Sequence, residues 1–126
     1  MVVYIKEQNL FPYIERYRKV FPITDGTIFA YNDSIYTNYV LPKDLIIHEE
    51  AHLNRQNKIG VEKWVDQYLE DEEFRLKEEV IAYKAQLQSI KDREHRNRVR
   101  IESIKTLTGG LYGLSLTKEE AFKLLK

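Results

Sequence analysis

Two histidines four residues apart, set in a run of aliphatic side chains, constrain this chain more than any other feature. His48-Glu49-Glu50-Ala51-His52 is preceded by Leu45-Ile46-Ile47 and followed by Leu53. Residues i and i+4 stand nearly above one another on an α-helix, so a helix here aims both imidazoles at one point. The aliphatic neighbours turn that helix inward rather than toward water. Buried ring nitrogens need partners, so the fold must bring another element up to them. Pro42-Lys43-Asp44 opens this helix, with Asp44 well placed against the helix dipole, and the pattern predicts an end near Asn54.

The same five residues have the form H-E-x-x-H. Two imidazoles one turn apart supply half of a tetrahedral zinc site without closing a loop. Glu49 sits about 100° round the helix from His48. That is too far for a natural third ligand, yet close enough to reach a water on the metal. With no cysteine in the chain, disulfides, thiolate zinc sites and thiol nucleophiles are excluded, and ligands must be nitrogen or oxygen. The long form of the motif needs glycine at 55 and histidine at 58, where this chain has Arg55 and Lys58. His95, between Glu94 and Arg96, reads as part of an exposed helical turn.

The third ligand is therefore sought among carboxylates downstream. Val61 to about Ser103 is helix-forming, with a break near Glu70-Asp71. Stepping about 100° per residue from Glu79 places Val65, Tyr68, Leu69, Leu76, Val80, Tyr83, Leu87 and Ile90 in one arc around it. Glu78 falls on the opposite side with Phe74 and Ile81. A carboxylate in a buried stripe is costly unless it is paired or binds metal. Glu79 is the favoured ligand, with Glu78 and Glu72 as alternatives. Ala82 and Ala85 leave room for two helices to approach closely.

Elsewhere, Val2 to Ile5 reads as a short strand or a lead-in. Asn9-Leu10-Phe11-Pro12 reads as the start of a helix that continues to Phe21 and stops at Pro22. Thr27–Tyr31 and Ser34–Thr37 flank Asn32-Asp33 as the arms of a hairpin. Its edge could align an extended peptide by strand addition. Thr108–Gly113 is a loop presenting Tyr112, a candidate donor to a developing oxyanion, with simple packing as the alternative. Thr117-Lys118-Glu119-Glu120 resembles a capping box launching a last helix, Glu119 to Leu125. The segment Thr117–Lys126 is expected to be able to cover the cleft.

At 126 residues the chain has room for one domain, taken as residues 1–126. Twenty acidic residues balance twenty basic ones, which gives no electrostatic case for nucleic acid or an anionic membrane. The basic stretch Lys91–Arg100 lacks the interleaved aromatics on which bases stack. The first residues are too short in apolar run for a signal peptide, and no stretch approaches the roughly 18 apolar residues of a membrane span. A cytoplasmic protein is the expectation.

With a glutamate 27 residues after His52, the chain resembles the gluzincins, zincin-fold metallopeptidases that take two histidines from one helix and a glutamate from the next. Glu79-Val80-Ile81-Ala82-Tyr83 resembles the family's E-x-x-A-[DN] pattern. Tyr83 stands where an acid or amide usually orients a histidine, so its hydroxyl or another residue must take that role. From about Leu41 to Leu125 the chain is similar to short metallopeptidase-like proteins often encoded in phage genomes. That likeness is carried by the H-E-E-A-H core, Trp64, Tyr68-Leu69, Phe74 to Glu79, Gly110–Leu114 and Glu119-Glu120-Ala121. The resemblance implies an α+β, minimal zincin-like fold, with a small twisted sheet on an active-site helix and a glutamate helix. It implies Zn2+ held by His48, His52 and Glu79, and hydrolysis of a peptide or protein substrate with Glu49 as general base. The alternative is a non-catalytic, zinc-stabilised binding or phage assembly module on the same fold.

Overall fold

The computed structural model describes residues 2–126. Among them are six α-helices, one short 3-10 helix and a three-stranded mixed sheet, an α+β architecture. Strand β1 (Val3–Ile5) runs parallel to β3 (Ser34–Tyr36), and β2 (Phe29–Tyr31) pairs antiparallel to β3 on its other side. The segment at Val2 to Ile5 is thus an edge strand. The hairpin forms where expected, and Asn32 turns it with φ of 60°, a left-handed conformation that asparagine tolerates better than most residues.

The helix expected from Asn9 to Phe21 is much shorter. Gln8–Leu10 makes a single 3-10 turn, Phe11 leaves it extended ahead of Pro12, and only α1 (Ile14–Arg18) is α-helical. Phe11 stacks on Phe29 with ring centroids 4.4 Å apart, and Gln8 Nε2 donates to the carbonyls of Thr24 and Thr27. Long-range contacts, rather than helical periodicity, hold these residues. Helix α2 (Lys43–Ile59) runs past the expected end at Asn54 and stops at Gly60, whose φ is 111°. The extra turn carries Gln56, which is wholly buried. Its Nε2 donates to Ala30 O at 2.8 Å and its Oε1 accepts from Asn32 N at 2.7 Å, so α2 is fastened to the hairpin one turn beyond His52.

The long helical stretch after Gly60 is three helices: α3 (Val61–Glu70), α4 (Glu72–Gln88) and α5 (Arg93–Thr108). Asp71 makes the expected break, its side chain accepting from Phe74 N. A second break at Ser89–Asp92 has the same cause, with Asp92 accepting from His95 N at 2.8 Å. In both, an aspartate satisfies donors that a continuous helix would otherwise occupy. Helix α6 (Lys118–Leu124) starts from the anticipated capping box of Thr117 and Glu120.

An aromatic cluster joins the N-terminal segment, the hairpin and α3 through Phe11, Tyr17, Phe29, Trp64 and Tyr68. A second cluster, Tyr83, Leu87, Leu107, Ala121 and Leu125, ties α4 to α5 and α6. Helix α4 lies against α2, and Ala82, fully buried, keeps that approach close. No helix among the described residues is long and apolar enough to cross a membrane.

Candidate metal centre

Three buried side chains, His48, His52 and Glu79, meet at the seam between α2 and α4. His48 Nε2 lies 3.2 Å from Glu79 Oε1, and His52 Nε2 lies 3.1 Å from Glu79 Oε2. Ligand atoms on a tetrahedral zinc ion are about 3.3 Å apart, given bonds of about 2.0–2.1 Å. The two separations, one to each Glu79 oxygen, fall close to that spacing, one ligand atom from each of the three residues lies within 4.8 Å of the others, and two nitrogens with one oxygen are a donor set that suits zinc.

The hydrogen bonding around His48 adds a chemical argument. Gln86 Nε2 donates to Asp44 Oδ2 at 2.8 Å, which leaves Gln86 Oε1 to accept from His48 Nδ1 at 3.0 Å. With its proton on Nδ1, a neutral His48 presents the Nε2 lone pair to the Glu79 carboxylate. Two electron-rich atoms in a buried site are held together by a positive charge, either a metal ion or a second proton on the ring. The residues present therefore fit a divalent cation. Gln86 takes the orienting role for which Tyr83 was considered; the Tyr83 hydroxyl instead bonds that of Tyr112 at 2.8 Å. Gln86 stands seven residues after Glu79, two helical turns along one face, and that spacing is the signal that could have identified it. His52 is held differently: its Nδ1 is buried with no hydrogen-bond partner, and its ring meets Trp64 edge-on at 5.5 Å.

Glu79 has one more partner, the Tyr68 hydroxyl, which donates to Oε2 at 2.6 Å. Burial opposes ionisation of Glu79, but His52 and His48 together outweigh it and hold the carboxyl far below its ordinary value. Glu49 is shifted the other way. Burial pushes its pKa up to about 7, against a lowering by His48 and with a further rise from Glu79. Its Oε2 is 3.9 Å from His48 Nε2. Two carboxylates near one histidine thus differ sharply in basicity.

Glu78 does not lie on an outward face. It is 0% exposed. Arg55 Nε and Nη2 grip both of its oxygens at 3.0–3.2 Å, and Trp64 Nε1 donates to Oε1 at 2.7 Å. The buried stripe of α4 is Arg75, Glu78, Glu79, Ala82, Tyr83, Gln86 and Leu87. It is rotated toward Glu78 from the arc drawn on apolar residues, because polar side chains with specific partners occupy buried positions. Glu78 is thereby committed to Arg55 and Trp64 and is not in the metal-ligating group. Glu72 is exposed and accepts from Ser115, and His95 is exposed on α5.

Tyr112 is half-buried and lines a cavity of about 250 Å³ together with His48, Glu49 and Tyr68. Arg75 positions its loop, Nε donating to Tyr112 O at 2.8 Å while Nη1 donates to Tyr68 O at 2.7 Å. No residue of Thr117–Lys126 lines this cavity. That segment does not cover the cleft, because Ala121 and Leu125 are instead drawn into the cluster with Leu107. No protein-family model matches the chain, and comparison with curated proteins and with solved structures finds no significant match.

Proposed function

We propose that this protein is a zinc-dependent peptide-bond hydrolase of the gluzincin type, with Glu49 as its general base. The observation that carries the reading is the meeting of His48 Nε2, His52 Nε2 and a Glu79 oxygen beside a buried Glu49. His48, His52 and Glu79 would hold the ion. When bound, zinc supplies Lewis acidity, bringing the pKa of water to about 7 and polarising a peptide carbonyl. Glu49 accepts the proton of the attacking water and delivers it to the leaving amine. Burial raises the Glu49 carboxyl above the ordinary carboxylate range, which strengthens it as a proton acceptor. Tyr112, on the cavity wall, is the candidate donor to the carbonyl oxygen as charge develops there. The Tyr68 hydroxyl is already given to Glu79. Ile28, just before the edge strand β2, and Phe29, its first residue, line the same cavity, so an extended peptide could align at that end of the edge, ahead of the Ala30 carbonyl that Gln56 occupies. The same reading includes kinship with short phage-encoded metallopeptidases, supported by the H-E-E-A-H core, and a cytoplasmic setting, supported by the absence of cysteine.

Elemental analysis of purified protein beside His52→Ala and Glu49→Gln tests it. Wild type and Glu49→Gln should carry close to one zinc per chain, and His52→Ala far less. Only wild type should hydrolyse a broad peptide mixture. Wild-type protein without bound metal ends the proposal. Bound zinc with no hydrolysis favours the non-catalytic, zinc-stabilised module.

A further inference from the structure

The cavity beside Glu49 is walled mainly by apolar and aromatic side chains. Phe21, Ile23, Ile28, Leu45 and Leu111 contribute aliphatic and aromatic surface, four tyrosine rings add to it, and Thr27 and Thr106 are uncharged polar residues in the lining. Among the described residues no lysine, arginine or aspartate side chain faces it; apart from tyrosines, the ionisable groups there are His48 and Glu49. An apolar cavity of about 150 Å³ holds a benzene molecule, so about 250 Å³ has room for a phenyl, indole or branched aliphatic group. An anionic side chain entering here would lose its water and face the Glu49 carboxylate, which is costly, and a cationic one would find only Glu49, the group the proposed reaction needs free. An apolar one gains transfer free energy in proportion to its area. Leu45, Tyr83 and Thr106 also line a shallower groove beside α5, so chain continuing from such a side chain has a way out. That favours a peptide over a small free molecule.

We propose that this cavity is a specificity pocket that receives one bulky apolar side chain next to the scissile bond, making the substrates peptides with phenylalanine, tyrosine, tryptophan, leucine or methionine at one fixed position. The proposal rests on the hydrolase reading but is tested separately from it. Zinc-loaded wild type is incubated with a proteome-derived peptide mixture, with Glu49→Gln as the blank, and cleavage sites are read by mass spectrometry. Cleavages should share a large apolar residue on the same side of the bond, and replacing it by alanine should lower kcat/KM by at least about 100-fold. Leu111→Trp and Ile23→Trp, which fill the cavity from two segments, should shift the preference to smaller residues and leave zinc content unchanged. Cleavage with no preference, or with a charged residue at the fixed position, overturns the inference.

If wild type cleaves nothing, the hydrolase reading fails, and binding still decides the pocket. N-acetyl-phenylalaninamide, titrated into metal-free protein, should shift the NMR methyl signals of Ile28, Leu45 and Leu111, and N-acetyl-glycinamide, which has the same backbone and no side chain, should not. Equal shifts from both probes, or none from either, overturn the pocket assignment.

Discussion

Helix α4 buries two sides of opposite character. Toward α2 it presents Glu78, Glu79 and Gln86, each engaged by a named polar partner. Toward α5 and α6 it presents Tyr83 and Leu87, packed against Leu107, Ala121 and Leu125. The apolar side stabilises by removing surface from water. The polar side gains little net stability, because desolvation of charged groups offsets most of their attraction. What it gains is geometry: each group has one arrangement that satisfies it, and that arrangement brings Glu79 to both histidines. One helix thus keeps its stabilising contacts and its exacting contacts on separate faces.

The largest expected effects come from cutting each face once. Glu78→Ala leaves the Arg55 guanidinium and the Trp64 N–H without their acceptor. We expect a loss toward the low end of about 3–5 kcal/mol, since Arg55 keeps some access to water. Leu107→Ala opens a cavity where no side-chain surface is exposed and should cost about 2–5 kcal/mol. Urea unfolding of metal-free protein measures both. The comparison turns on zinc affinity, measured by competition with a chelator: Glu78→Ala should weaken it and Leu107→Ala should not. If both weaken it equally, the two faces are not separable and the contrast fails.

The apolar face and the polar one also differed in how readable they were. Helical spacing located α2, the faltering of the apolar pattern located the break near Asp71, and Thr117 and Glu120 marked the start of α6 by their capping chemistry. His48, His52 and Glu79 could be drawn together because a carboxylate among aliphatic residues is conspicuous. Glu78 was misplaced for the same reason. An arc built on apolar residues cannot register a buried stripe made of arginine, glutamate and glutamine, whose burial depends on partners far along the chain, such as Arg55 and Trp64. Gln86 and Asp44 escaped for that reason too. The short α1 shows a related limit, since Phe11 answers to Phe29, a strand residue that periodicity within the segment cannot see.

Gln86 allows the contrast to be sharpened at a single histidine. Gln86→Leu conserves most of the volume but removes the acceptor for His48 Nδ1. Loss of such an orienting bond typically costs about 10–100-fold in metal affinity. The change should appear in zinc competition and, in metal-free protein, as a shift of the His48 Nδ1 resonance. His52, whose Nδ1 has no partner to lose, should keep its own resonances. Movement of both rings together would mean that Gln86 acts on the seam as a whole rather than on His48.

The smallest effect lies farthest from the seam, at the start of α6. Thr117 Oγ1 accepts from Glu120 N at 3.1 Å, and Glu120 Oε1 accepts from Thr117 N at 3.0 Å. Bonds to the Thr117 backbone and then its side chain hold the Glu120 carboxyl below its ordinary value of 4.5. A depressed folded-state pKa contributes stability above the unfolded value, and that contribution is lost as pH falls through the folded one. Glu120→Gln should therefore be slightly less stable than wild type at neutral pH, with the gap closing as acid passes 4.5 and below. Thr117→Ala should cost about 1 kcal/mol at neutral pH. Because the cap is exposed at the start of α6 and lines neither the seam nor its cavity, neither variant should alter zinc affinity. A gap between Glu120→Gln and wild type that persists unchanged in acid would assign the effect to packing of the side chain, not to its charge.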